Sequence, residues 1–267
     1  MKIFLLTAAL SFSLQSHSPV IDTNKLPAIH YFYNSGWMIE TKGHAIVIDF
    51  IPHAASGSTM DYLEGLLKQA ASRGKKIVVM ITHDHQDHFN PAILQLGNNI
   101  PGVQYILGWN YKTENKAQIK IMNARDSLTT PAYKVYSHVS TDDGVGFLLQ
   151  IDGLNIYHAG DHALWAEQLL QQFRDELNFI RSKTKNIDLA FIPAARGMFT
   201  KCAYDSIMEK GIKLSAEILR PDVVALQHVG CEDKLTVYRQ AYTQLNKETT
   251  VKKWIIPAKF NQEFAAE

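Results

Sequence analysis

The sequence predicts an α/β protein built as two β-rich halves, and three observations carry that expectation. Apolar runs of strand length alternate with segments of helical period, and the order strands, helix, strand, helix recurs in two halves. A hydrophobic fraction of 46% against 20% charged residues over 267 positions supplies the apolar material for a two-sheet core. No Gly/Ser/Pro-rich linker interrupts the chain, so residues 19–267 read as one domain.

In the first half, Ala28–Tyr33, Trp37–Glu40 and His44–Phe50 read as short strands separated by the turn signals Asn34-Ser35-Gly36 and Lys42-Gly43. Thr59–Arg73 changes period, with Leu63, Leu66, Leu67 and Ala70 on one helical face and Gly74 as the stop. Lys76–Thr82 is a continuous apolar run, as in a strand buried on both faces, and Val103–Leu107 is a further strand.

The second half carries strands at Tyr133–His138, Val145–Ile151 and Leu154–His158, the last two joined by an Asp152-Gly153 hairpin. Trp165, Leu169, Phe173, Leu177 and Ile180 form a helical stripe expected to be core. Strands at Ile187–Pro193 and Val223–His228 enclose another helix, and a helix at Lys234–Asn246 precedes a last strand, Lys253–Ile256.

Met1–Ser18 has the order of a signal peptide: Lys2, an apolar run from Ile3 to Leu14, then small polar residues, with cleavage expected after Ser18. The run falls short of the about 20 apolar residues a bilayer span needs, and no Cys follows it to take a lipid. The mature protein is therefore expected to be secreted or periplasmic, without a membrane anchor. A net charge of +1 gives no general attraction to nucleic acid, so the expected partner is a small-molecule substrate. Cys202 and Cys231, the only cysteines, are paired or free with equal plausibility on sequence alone.

The chemistry concentrates in Thr82-His83-Asp84-His85-Gln86-Asp87-His88, where three imidazoles and a carboxylate follow a buried strand on one loop. Alternate residues His83 and His85 aim to one side, while Asp87 and His88 turn toward a second point, so two metals fit side by side. Imidazole and carboxylate suit zinc at about 2.0–2.2 Å, and the same set accepts manganese or iron. Further ligands are expected at strand ends, where His138, Asp161 and His228 stand, although His158 and His162 flank Asp161 and compete for its role.

Together the His-x-His-x-Asp-His run, the later His, the Gly-Asp after a strand and the final strand-end His resemble the metallo-β-lactamase superfamily. The resemblance implies a four-layer αββα sandwich, one metal on His83, His85 and His138, a second on Asp87, His88 and His228, and Asp161 bridging them. Asp49 matches the family's acidic residue that supports the metal loop from behind, or is a strand-end turn residue. The opening Tyr31 to Asp49 and the stretch His85 to Pro91 look most like the lactonase-like branch, with the departure that Asn34 stands where that branch often has a His.

Two cations about 3.5–4 Å apart hold a hydroxide against an ester, lactone or phosphodiester. The expected activity is such a hydrolysis, with Asp87 or a metal-bound water protonating the leaving group. An iron persulfide dioxygenase or a β-lactamase is the alternative. Arg196 is expected either to meet an anionic substrate group or to sit in a surface ion pair, and Trp165 and Phe199 either to line the pocket or to fill core.

Overall fold

The architecture is that of a computed structural model, which describes residues 27–112, 118–197, 202 and 205–265. The expected signal peptide at 1–18 and Phe199 lie outside the described residues.

The first half contains β1 (Ala28–Tyr33), β2 (Gly36–Glu40), β3 (His44–Ile48), α1 (Met60–Ser72), β4 (Lys76–Ile81), α2 (Leu96–Asn99), β5 (Gln104–Leu107) and β6 (Ile119–Ile121). The second contains β7 (Ser127–Thr129), β8 (Tyr133–Val139), β9 (Val145–Ile151), β10 (Leu154–His158), α3 (Leu170–Lys183), β11 (Ile187–Pro193), α4 (Ser206–Leu219), β12 (Pro221–Gln227), α5 (Glu232–Tyr242), α6 (Leu245–Glu248), β13 (Lys253–Ile255) and β14 (Gln262–Phe264).

Two seven-stranded sheets result, ordered β14-β1-β2-β3-β4-β5-β6 and β13-β12-β11-β10-β9-β8-β7. Each is antiparallel on one side and parallel on the other: β3 to β6 and β10 to β13 run parallel, and antiparallel pairs build the rest, with β14 joining β1 from the other end of the chain. The sheets face each other across an apolar interior in which Trp37 of β2 meets Phe191 of β11, ring centroids 4.9 Å apart. α1 covers the first sheet against β3 and β4, while α3 and α4 cover the second against β8 and β11, giving the four layers α, β, β, α.

Local chemistry explains the boundaries. Thr59 caps α1 by accepting from the Tyr62 N–H at 3.1 Å, and the helix buries Leu63, Leu67 and Ala70. Asp205 caps α4 through the N–H groups of Ile207 and Met208. In β4 every residue from Ile77 to Ile81 is buried, as a parallel strand covered on both faces requires.

Two expectations are corrected. The helix after β10 begins at Leu170, not Trp165; residues 167–169 form a 3-10 turn, and Trp165 turns toward a cleft instead of the core. The helix expected at Lys234–Asn246 starts earlier and divides into α5 and α6. Cys202 and Cys231, left open by the sequence, form a disulfide with their Cα atoms 6.0 Å apart.

Candidate metal centre

The parallel halves of both sheets point their carboxyl ends to one edge, the place where open α/β sheets offer a crevice. β3 leads into Asp49, β4 delivers Thr82 to His88, β10 runs into Ala159-Gly160-Asp161, and β12 ends before His228. Gly160, at φ +58°, allows the chain to turn there, because a Cβ would sit 2.7 Å from the Val145 carbonyl and 2.9 Å from Thr82 Cβ.

Asp49, fully buried and in the left-handed region at φ 48°, holds the metal loop from behind. One carboxylate oxygen accepts from the Thr82 N–H at 2.8 Å, and the other from the Thr82 hydroxyl at 2.7 Å and His88 Nδ1 at 2.8 Å. Burial works against its charge, but the hydrogen bond from His88 and the neighbouring imidazoles prevail and lower its pKa. Of its two sequence readings, the structure supports the buttress.

These bonds fix tautomers. A carboxylate only accepts, so His88 Nδ1 carries the proton and Nε2 presents a lone pair. The same holds for His228, whose Nδ1–H donates to the Ala195 carbonyl at 2.8 Å. The Thr82 hydroxyl gives its only proton to Asp49, so His83 Nδ1, 3.0 Å away, must donate to Thr82 Oγ1, and His83 Nε2 is an acceptor with His85 Nδ1 3.1 Å away.

All these lone pairs face Asp161. Its Oδ1 lies 3.0 Å from His88 Nε2 and 3.4 Å from His228 Nε2, and its Oδ2 lies 3.5 Å from His83 Nε2. Asp87 Oδ2 is 3.4 Å from His228 Nε2 and 3.8 Å from His88 Nε2. Buried as they are, His88 Nε2, His228 Nε2 and Asp161 Oδ1 have no hydrogen-bond partner. Acceptors converging without donors repel one another unless a cation lies between them, so the donor set fits a metal. Without an ion the site compensates by charging: despite burial, Asp161 and its neighbours raise His228 to about 10 and hold His88 well above its ordinary value.

The ligand atoms of His83, His88 and Asp161 lie within 4.8 Å of one another, as do those of Asp87, His88 and His228, and those of His85, Asp142 and Asp161. Six of the seven sequence-selected residues thus come together: His83, His85, Asp87, His88, Asp161 and His228. His158 and His162 are used elsewhere, His158 accepting from the Gly160 N–H at 3.2 Å and His162 Nε2 donating to the Phe173 carbonyl at 3.2 Å.

His138 is the exception. Its Nδ1–H donates to the Val139 carbonyl at 2.9 Å, and its Nε2 accepts from the Tyr157 hydroxyl at 3.1 Å. It lies under α3 in contact with His162, where burial lowers its pKa to about 4, and it belongs to none of the ligand groups among the described residues. Strand parity is the cause: His138 shares with Tyr136 the face of β8 that α3 covers.

Asp87 is buried, and although desolvation opposes its charge, His228 and His88 lower its pKa to about 2. Its carboxylate is ionised at neutral pH, so any proton it gives a leaving group must first be received during the reaction. Asn34 donates through Nδ2 to the Asp87 backbone carbonyl at 3.1 Å and to Oδ2 at 3.4 Å, which orients Asp87.

A cleft of about 510 Å3 opens over the site, lined among others by His85, Asp87, Asp142, Trp165, Arg196 and His228. Trp165 donates from Nε1 to the Asp161 carbonyl at 2.9 Å and lays its ring 5.7 Å from that of His228. Arg196 lines the cleft and pairs with Asp205, and its Nη2 donates to the Trp165 carbonyl at 2.7 Å, so of its two readings the structure shows the ion pair. Sequence reasoning missed Asp142 in the cleft lining; the signal was the acidic turn Asp142-Asp143-Gly144, separated from the end of β8 by two residues.

Residues 28–224 match the family described as a beta-lactamase superfamily domain. A metal-dependent hydrolase of Bacillus velezensis is 28% identical over 219 residues, covering 75% of this chain and 84% of its own. Among solved structures, a metallo hydrolase from the hyperthermophilic archaeon Ignicoccus hospitalis superposes with a TM-score of 0.59 at 21% identity, covering 90% of this chain and 98% of its own. A diiron beta-hydroxylase from Streptomyces venezuelae superposes with a TM-score of 0.58 at 11% identity, covering 90% of this chain and 54% of its own. At these identities the two structures share the fold.

Proposed function

The chain belongs to the metallo-β-lactamase superfamily, and from that premise we propose that it is a dinuclear metal-dependent hydrolase acting on an ester, lactone or phosphodiester. The observation that carries this is the convergence of unpartnered acceptors His88 Nε2, His228 Nε2 and Asp161 Oδ1 at the floor of an open cleft. Bound divalent cations, zinc or alternatively manganese or iron, would lower the pKa of water there and polarise the bond under attack.

The chain's own residues do the rest. Asp161 faces both ligand groups with separate oxygens, and Asp49 and Ala195 keep the imidazoles of His88 and His228 in the tautomer that binds a cation. Asp87 is an ionised acceptor beside the site, placed to take a proton from the attacking water and return it to the leaving group. Trp165 offers an apolar wall and Arg196 a cationic rim. The lining suits a small molecule, and the charge balance gives no case for nucleic acid.

Export fits the Cys202–Cys231 disulfide, which persists in oxidising compartments, and the signal-like order of Met1–Ser18. Among the described residues no helix is long and apolar enough to cross a membrane.

The test is metal analysis of the purified protein together with turnover of lactones, phosphodiesters, thioesters and a β-lactam, for wild type and His88→Ala. Two divalent ions per chain, with hydrolysis lost in the variant, supports the reading. Iron with oxygen uptake and no hydrolysis replaces it by oxidation, and a protein that takes up no metal removes it.

A further inference from the structure

The superfamily pattern offers His138 as the third protein ligand beside His83 and His85, and the structure disagrees. An imidazole binds a metal through a lone pair, and a neutral imidazole has one. Because Val139 offers a carbonyl, the His138 proton is on Nδ1; the lone pair on Nε2 already accepts from Tyr157. Tyr157 is fully buried, so withdrawing that acceptor would strand its hydroxyl in the interior without a partner. Gly146 opposes His138 in the β8–β9 register, and a Cβ at Gly146 would lie 2.1 Å from His138 Nε2, so the ring is seated over β9 toward Tyr157.

The turn that follows β8 fills the gap. Asp142 lines the cleft, and its carboxylate lies within 4.8 Å of ligand atoms of both His85 and Asp161. His85 in turn places Nδ1 3.1 Å from His83 Nε2, so the four groups are contiguous. The turn is pinned on two sides. Thr141 donates to the Ala163 carbonyl at 2.6 Å and accepts from its N–H at 3.0 Å, two residues beyond Asp161. Gly144, at φ +66°, lies against the metal loop so closely that a Cβ would be 2.4 Å from His83 Cβ. Ser140 Oγ accepts from the Asp142 N–H at 3.1 Å and sets the direction of that residue. Buried Asp161 faces the same group, with Oδ2 3.5 Å from His83 Nε2.

We propose that Asp142 supplies the third protein ligand to the cation at His83 and His85, with Asp161 shared, and that His138 is a structural histidine bonded to Tyr157. The consequence is a site richer in carboxylate and more open to solvent than three imidazoles would make it, which shifts it toward harder, oxygen-preferring cations such as Mn2+. This inference rests on the dinuclear reading above.

The experiment is titration of metal-free full-length protein with Co2+ and with Zn2+, following stoichiometry by mass spectrometry under native conditions and the visible Co2+ bands. Wild type, Asp142→Asn and His138→Gln are compared. Asp142 is exposed and outside any strand, so its substitution leaves the fold intact, which far-UV circular dichroism verifies. The expected result is two ions in wild type and His138→Gln, with Asp142→Asn keeping one ion tightly and binding the second at least about 10-fold more weakly. Unchanged affinity for both ions in Asp142→Asn overturns the assignment whatever His138→Gln does. No ion in wild type instead removes the metal-centre reading itself, and this inference with it.

Discussion

The Nδ2 group of Asn34 reaches Asp87 twice, at its carbonyl and at its carboxylate, from a residue in the left-handed region at φ 50°. The His228 N–H donates to the Asn34 carbonyl at 3.0 Å, so one residue aligns two metal-facing side chains from opposite sheets. Asn34→Gly removes the side chain without adding backbone strain. Affinity for the ion at Asp87, His88 and His228 should fall by about 10–100-fold while the melting temperature changes little. Competition with a chromophoric chelator measures it.

Asp49→Asn tests the buttress. The amide keeps the left-handed backbone accessible but cannot accept from both Thr82 and His88 as the carboxylate does. The expected loss is about 3 kcal/mol of stability in the metal-free protein, read from urea unfolding, because buried His88 is left without its partner.

Stability at acid pH should report on Asp152. Burial opposes its charge, but hydrogen bonds from the Thr41 hydroxyl, His44 and the Gly43 N–H lower its pKa to about 2. A depressed carboxylate stabilises the fold above its unfolded value and loses that contribution as pH falls through the folded value. Asp152→Asn, which tolerates the φ of 50°, should therefore be less stable than wild type at pH 6, by about 1 kcal/mol after allowing for solvent screening. The gap should close between about pH 4 and pH 2. Unfolding series at stepped pH give the comparison.

Breaking the Cys202–Cys231 bridge by double substitution to Ala should cost about 3–4 kcal/mol, the loop-closure value for a separation of 29 residues. Added reductant should lower the melting temperature of wild type and leave that of the double variant unchanged.

The parts legible in the sequence were those encoded locally. The metal loop is seven consecutive residues on one turn, and Asp161 and His228 are marked by the strands that deliver them, so composition and period sufficed. β6, β7 and β14 were not anticipated, because three-residue segments such as Gln262-Glu263-Phe264 carry too little pattern and gain strand form only from their neighbours. His138 lies apart from the candidate ligand groups for a geometric reason: on a strand, one position decides which face a side chain occupies, and nothing local says which face those groups share. The reach of Asp142 into the cleft depends on a turn anchored to Ala163 and His83, both distant in sequence.

The two sheets, each antiparallel on one side and parallel on the other, leave the ligands divided between them: His83 to His88 come from the first, Asp161 and His228 from the second. A cation here is consequently a rivet across the seam of the molecule. With it, repulsion among the convergent lone pairs becomes mutual attraction and the rim is clamped. Stripped of it, the rim is held only by the ion pairs that His88 and His228 make with Asp161 and Asp87, so chelation should loosen the sandwich from the rim inward before it disturbs the Trp37–Phe191 packing within.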